Sequence, residues 1–264
     1  MRQGSGWGVQ PGPGSSRTQE RIQDRGRPPV RLLCFHHAGG SPVSFLGWQR
    51  ALGEAVDVVP VSLPGREVDG ASRRYDDMDS LARALEDELG PVLETPYLVY
   101  GHSMGALVAY RLALRRARLA RRTPERLLVG AYPAPHLPHP LAHGAHLSDE
   151  DLSALLLDLS QLPERLTADR QWLNERVRLI RADLRLCGTH CGQRPPDALP
   201  CPIDVFTGAA DPLVNTEAAH AWAFHSRKEC TVHVLPGGHF FPRESKFSFF
   251  ERLRPIISRV AEVT

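Results

Sequence analysis

The 264-residue sequence predicts an α/β fold, a mostly parallel central sheet flanked by helices with a helical insertion. Two observations carry that prediction. Short apolar runs alternate with stretches of helical apolar spacing, and such alternation covers both faces of a parallel sheet. In the middle of the series an apolar run, Tyr97 to Tyr100, leads through Gly101-His102-Ser103-Met104-Gly105 into the apolar helical run Ala106 to Leu114. Strand, sharp turn and helix around G-x-S-x-G is the arrangement that projects a serine hydroxyl from a strained backbone. Side chains at positions 101 and 105 would crowd the neighbouring backbone, so both are glycine. The helix that starts at Ser103 points its positive end at the hydroxyl.

The elements follow in order. Arg31 to Phe35 is a first buried strand, and His36-His37-Ala38-Gly39-Gly40-Ser41 is the loop after it. A helix over Val43 to Leu52 precedes a second strand, Val56 to Val61, which ends in the turn Leu63-Pro64-Gly65-Arg66-Glu67. Met78 to Leu89 carries apolar residues three and four apart and is a helix. After the serine turn and its helix, Arg126 to Tyr132 is a short strand closed by Pro133 and Pro135. Residues 148–186 break the rhythm with three helical stretches, interrupted at Pro163, and are expected to form a lid over the sheet. The alternation resumes with the strand Ile203 to Thr207, a helix over Thr216 to Ser226, the strand Thr231 to Leu235 and a last helix over Phe247 to Ala261. Residues 1–29, rich in Gly, Pro, Ser, Gln and Arg, are expected to be a disordered leader. Residues 30–264 then form one domain, a size that supports a full core.

Composition narrows the function. The formal net charge is +2, which gives no global pull toward nucleic acid. Only Lys228 and Lys246 are lysines, so the basic residues are almost all arginine. No apolar run reaches the length of a membrane span, and the N-terminus has no apolar signal core. The cysteines, Cys34, Cys187, Cys191, Cys201 and Cys230, are odd in number and irregular in spacing. That pattern fits a reduced, cytoplasmic protein better than a disulfide framework. Cys187 and Cys191 flank His190, but a fourth metal ligand is missing, so they are taken as loop and core cysteines and no metal site is expected.

A serine hydroxyl needs a base within hydrogen-bond reach, and the base needs an orienting carboxylate. Around a G-x-S-x-G turn these follow in the order serine, acid, histidine. Asp211 comes after the strand Ile203 to Thr207, and His239 follows the last strand across Pro236-Gly237-Gly238. All three therefore lie at the carboxyl edge of the sheet, where such folds gather their sites. Donors for a developing oxyanion are expected at the backbone N–H of Met104 and of Ala38, beside glycines that allow close approach. Among the other histidines, His102 lies inside the turn with its side chain directed away from Ser103. His136, His139, His143 and His146 share a proline-broken loop expected to be solvated, and His220, His225 and His233 sit within regular elements as structural residues. Arg111, Arg115, Arg118 and Arg122 repeat at helical spacing. Arg118 lies about 22 Å along the helix from the serine, and the run is expected to be a solvated helix end.

With these motifs in place, the sequence resembles the type II thioesterases that accompany modular polyketide synthases and non-ribosomal peptide synthetases. The resemblance spans roughly residues 31–260. It rests on Phe35-His36-His37-Ala38-Gly39-Gly40-Ser41, Leu63-Pro64-Gly65-Arg66-Glu67, the serine turn, Arg181-Ala182-Asp183-Leu184, Cys201-Pro202-Ile203, Asp211-Pro212 and Gly237-Gly238-His239-Phe240-Phe241. The family often has proline where this chain has His36, and the loop Ala131 to Pro135 also departs from the commoner form. The resemblance implies an α/β-hydrolase fold with a lid. It implies Ser103, Asp211 and His239 as nucleophile, acid and base, Ala38 and Met104 as oxyanion donors, and no metal or organic cofactor. It further implies a monomeric cytoplasmic enzyme that edits acyl thioesters on the phosphopantetheine arm of carrier proteins, without nucleic-acid or membrane partners. A medium-chain fatty acyl thioesterase and a general carboxylesterase stay open at this point; a catalytically silent synthase-binding module is the reading from another class, and it would show a broken triad where this sequence has all three residues.

Overall fold

The computed structural model describes residues 29–64, 75–138, 141, 144–160, 170–189 and 198–263. The leader 1–28, the turn residues Gly65-Arg66-Glu67, His139, His143, Pro163, His190 and Cys191 lie outside the described residues.

Six parallel strands form one sheet: β1 (Val30–Phe35), β2 (Val56–Pro60), β3 (Tyr97–His102), β4 (Arg126–Gly130), β5 (Ile203–Gly208) and β6 (Cys230–Leu235). Their order is β2-β1-β3-β4-β5-β6. The strand order thus reverses between β1 and β3, which pair in register from Arg31 and Tyr97 to Phe35 and Gly101. Such a reversal opens a crevice beyond the carboxyl ends of the two strands, the favoured place for a site in a sheet of this kind.

Strand side chains alternate between two cores. Leu33, Phe35, Tyr97 and Val99 face one. Leu32, Cys34, Leu98 and Tyr100 face the other. The first core is completed by α2 (Met78–Leu89) and α3 (Met104–Arg118). The second is completed by α1 (Trp48–Leu52) and α8 (Lys246–Val263). Burial on both faces explains why these strands are continuous apolar runs in the sequence.

The structure refines several expected boundaries. The predicted helix over Val43 to Leu52 is a 3₁₀ turn, Pro42–Phe45, followed by α1, because Gly47 at φ +80° interrupts the helical path. The predicted helix over Thr216 to Ser226 splits into α6 (Thr216–His220) and a 3₁₀ turn, Ala221–His225. A short α7 (Phe241–Glu244) precedes α8. Two helices of the lid lie among the described residues, α4 (Asp149–Ser160) and α5 (Arg170–Gly188), and the stretch 161–169 between them lies outside the described residues. They meet over a small apolar cluster of Ala145, Leu152, Val177 and Leu184.

The arginine run is not a solvated helix end. Arg111 pairs with Asp79, and Arg115 Nε lies 2.5 Å from Glu86 on α2. Arg116, absent from the predicted stripe, is fully buried; it reaches Glu86 at 3.4 Å, Glu94 at 2.9 Å and the carbonyls of Leu93 and Arg122. Glu86 also takes Arg121 at 3.1 Å, so one buried carboxyl group ties three arginines to α2. Of the four predicted positions only Arg118 and Arg122 are exposed. Removing one member of a buried ion network strands the charges left behind. Glu86→Ala is therefore expected to lower unfolding free energy by about 3 kcal/mol without altering the site at the opposite sheet edge. Urea denaturation checks this, and a loss below about 0.5 kcal/mol, the range of ordinary surface substitutions, would show that Arg116 is satisfied by Glu94 and the carbonyls of Leu93 and Arg122 without Glu86.

Candidate active site

Ser103 stands between β3 and α3 at φ 53° and ψ −122°, a backbone that a non-glycine residue seldom adopts. Such strain costs on the order of 1–3 kcal/mol and persists only where the surroundings enforce it. The enforcement here is close packing. A β-carbon on Gly101 would overlap the Gly105 carbonyl, and one on Gly105 would overlap the carbonyls of Phe35 and His36. The Ser103 N–H is tied to the Gly130 carbonyl at 2.7 Å. Although Ser103 occupies the N-cap position of α3, its side chain makes no capping bond. Its Oγ instead lies 3.1 Å from His239 Nε2.

His239 and Asp211 complete the line. His239 Nδ1 is 3.0 Å from Asp211 Oδ2 and 3.2 Å from Oδ1. A carboxylate can only accept, so Nδ1 carries the proton and Nε2 presents its lone pair to the serine. The Asp211 side chain is fully buried, and Ser103 and His239 are buried as well. Asp211 Oδ1 also accepts the Leu213 N–H at 2.9 Å, which fixes the carboxyl plane. The turns after β5 and β6 are laced together by Ala209 N–H to Leu235 O at 2.7 Å and Ala210 N–H to Gly237 O at 2.9 Å. Three residues separated by up to 136 positions thus meet at one sheet edge.

Two further histidines support the site, and sequence reasoning did not assign this work to them. His102 Nδ1 accepts from the Tyr100 hydroxyl at 3.0 Å, leaving Nε2–H to donate to the His239 carbonyl at 3.0 Å. It is a brace for the loop that carries His239. Burial holds its pKa well below the usual histidine range, so it stays neutral. His37 packs edge-on against Phe240, and burial together with His36, His239, Arg243 and Arg176 lowers its pKa to about 3. A neutral ring there adds no positive charge beside His239. The G-x-S-x-G pattern turns the His102 side chain away from Ser103 but does not say which groups its ring meets there.

A cavity of about 300 Å³ opens over Ser103 and His239. Ala38 and Met104 line it beside the serine, and Leu141, Leu156, Leu173, Ile180 and Leu184 form much of its apolar wall. The lid helices therefore roof the serine with hydrocarbon.

The remaining candidates lie elsewhere. His225 is buried, 2.9 Å from the Tyr110 hydroxyl and 2.7 Å from His136. His136 is consequently part of the packed structure rather than a solvated loop residue, while His146 is exposed. His233 pairs with Asp204 at 2.7 Å. Cys34, Cys187, Cys201 and Cys230 are free thiols. Among the described residues no helix is long and apolar enough to cross a membrane.

A parallel sheet with its strand reversal at β1 and β3, a strained serine turn there and a lid above it define the class of protein: an α/β-hydrolase. The chain matches the thioesterase domain family over residues 30–257 and belongs to it. It is a thioester hydrolase. The thioesterase RedJ from the prodiginine pathway of Streptomyces coelicolor is 38% identical, with a TM-score of 0.80 covering 86% of this chain and 90% of RedJ. The type II thioesterase BorB of the borrelidin cluster is 34% identical, with a TM-score of 0.76 over 87% of this chain and 93% of BorB. The gramicidin S biosynthesis protein GrsT of Aneurinibacillus migulanus is 30% identical over 222 residues, 84% of this chain and 86% of its own length.

Proposed function

We propose that this thioesterase removes stalled or aberrant acyl groups from the phosphopantetheine arm of acyl or peptidyl carrier proteins during polyketide or non-ribosomal peptide synthesis. The observation that carries the mechanism is the Ser103, His239, Asp211 line beneath an apolar cavity. The kinship with biosynthetic thioesterases supports the substrate class.

Ser103 Oγ attacks the thioester carbonyl while His239 Nε2 takes its proton. Asp211 holds the imidazole tautomer and stabilises the imidazolium. The carbon–sulfur bond breaks and the arm leaves as a thiol with the proton from His239. Water, deprotonated by the same imidazole, then attacks the acyl-serine and releases the acid. The oxyanion formed in each step is met by the N–H groups of Met104 and Ala38. Two neighbouring donors in the Ala38 loop are already committed: Gly39 N–H to Asp183 Oδ2 at 2.7 Å, and Gly40 N–H to His37 O at 2.9 Å. That favours Ala38 over either glycine. The enzyme acts in this reading as a cytoplasmic monomer.

One acyl group presented on a carrier protein, on free pantetheine and as an oxygen ester tests the proposal. The carrier thioester is expected to show a kcat/KM at least about 10-fold above the other two, a preference worth about 1.4 kcal/mol. Equal or faster turnover of the oxygen ester would instead make the protein a general esterase.

A further inference from the structure

The triplet Arg181-Ala182-Asp183 takes no part in the chemistry above, yet its two polar side chains are committed. Asp183 is buried in α5, and its Oδ2 receives the Gly39 N–H across 144 residues of sequence. On the same helix Arg176 Nη1 donates to the Gly39 carbonyl at 2.6 Å. Ile180 lies between them at helical spacing, on the same face. Gly39 sits at φ +70°, and a β-carbon there would overlap the Ile180 side chain. One lid helix therefore grips Gly39 by its N–H, its C=O and its bare α-carbon. Arg181 fastens the other side of the helix. It donates to the carbonyls of Ala145 and Leu147 at 2.8 and 2.6 Å and pairs with Asp149 at the start of α4 at 2.6 Å.

The grip bears on the neighbouring peptide. The His37 carbonyl accepts from Gly40 N–H at 2.9 Å and lies 2.9 Å from His36 Nδ1. In a trans peptide the Ala38 N–H points the opposite way. Its aim depends on where Gly40 stands, and Gly40 follows directly on the residue that α5 holds. We infer that Asp183 and Arg176 are positioning residues that set the Ala38 donor through Gly39, so that the oxyanion site is complete only while lid helix α5 is seated. The lid is then a part of the machinery as well as the wall of the acyl cavity. This rests on the proposed oxyanion role of Ala38.

The experiment compares wild type, Asp183→Ala, Asp183→Asn and Ser103→Ala on one acyl-pantetheine substrate. Active sites are counted by fluorophosphonate labelling run to completion. Asp183→Ala is expected to lose about 10- to 100-fold in kcat per labelled site, the scale of a misplaced catalytic group, with KM changed less than about 3-fold, a difference under about 0.7 kcal/mol. Affinity for an acyl trifluoromethyl ketone, whose adduct with serine places a full oxyanion in the site, falls by the same factor as kcat/KM. Asp183→Asn keeps an acceptor oxygen for Gly39 and is expected to retain most of kcat. The inference is overturned if Asp183→Ala loses only labelled sites, with kcat per site and ketone affinity within about 2-fold of wild type, which is about 0.4 kcal/mol. Full activity in Ser103→Ala would sink the serine mechanism itself, a separate failure visible in its own arm.

Discussion

Replacing Ser103 with alanine is expected to lower kcat for thioester hydrolysis on the order of 10⁶-fold, the loss seen when a catalytic serine is deleted from an intact site. The change removes the oxygen whose contact with His239 Nε2, at 3.1 Å, links the proposed nucleophile to the proposed base. It removes no helix cap, because the Ser103 side chain makes none. The strained turn is held by Gly101, Gly105 and the Ser103 N–H bond to Gly130, all of which the variant keeps. The thermal midpoint should therefore stay within about 2 °C of wild type, a change of about 1 kcal/mol or less for a domain of this size. His239→Ala should cost about as much, and the double variant little more, because members of such a unit are not additive. Single-turnover hydrolysis of an acyl-pantetheine measures all three. A loss below about 10-fold in Ser103→Ala, only about 1.4 kcal/mol of barrier, would mean that some other group attacks the thioester.

Asp211→Asn is expected to cost about 10⁴-fold in kcat at neutral pH while leaving the fold intact. The reason lies in two hydrogen bonds to one carboxyl group. Oδ1 accepts from the Leu213 N–H at 2.9 Å, and Oδ2 lies 3.0 Å from His239 Nδ1. An asparagine amide keeps its oxygen toward Leu213, since an N–H must be answered by an acceptor. Its NH₂ then faces Nδ1 and turns that nitrogen into the acceptor. The proton moves to Nε2, where it confronts the serine hydroxyl in place of a lone pair. The imidazole is held in the tautomer that cannot act as base. Circular dichroism and thermal melting should match wild type, so the loss appears in kcat rather than in folded protein. Retention of more than about a tenth of the activity, less than about 1.4 kcal/mol of barrier lost, would show that Asp211 does not orient the base.

How much of this was legible in advance varies by element. The central strands β1, β3 and β4 were readable because burial on both faces leaves nearly unbroken apolar runs, and α2 because Leu81, Leu85 and Leu89 recur on one face. Boundaries were less so. Gly47 splits an apparently continuous helix, and Tyr132 falls outside β4 although its sequence continues the apolar run. The arginine run misled because helical spacing identifies a face without saying what stands against it. Arg111 and Arg115 face α2, where Glu86 and Asp79 answer them. His136 is a loop residue as its sequence indicates, but it packs 2.7 Å from the buried His225 instead of being solvated.

The sequence by itself determined the α/β class, the strained turn around Ser103 and the chain order that puts Asp211 and His239 at the same sheet edge. Each of these follows from local chemistry: apolar periodicity, glycines flanking a serine, and polar residues placed just past strand ends. Only the tertiary structure decided that His102 braces the His239 loop, that α5 grips Gly39 through Asp183 and Arg176, and that Glu86 gathers three arginines. Those are contacts between residues far apart in the chain. Their partners are chosen by the packing of whole helices against the sheet, and no periodicity within a single segment encodes that choice.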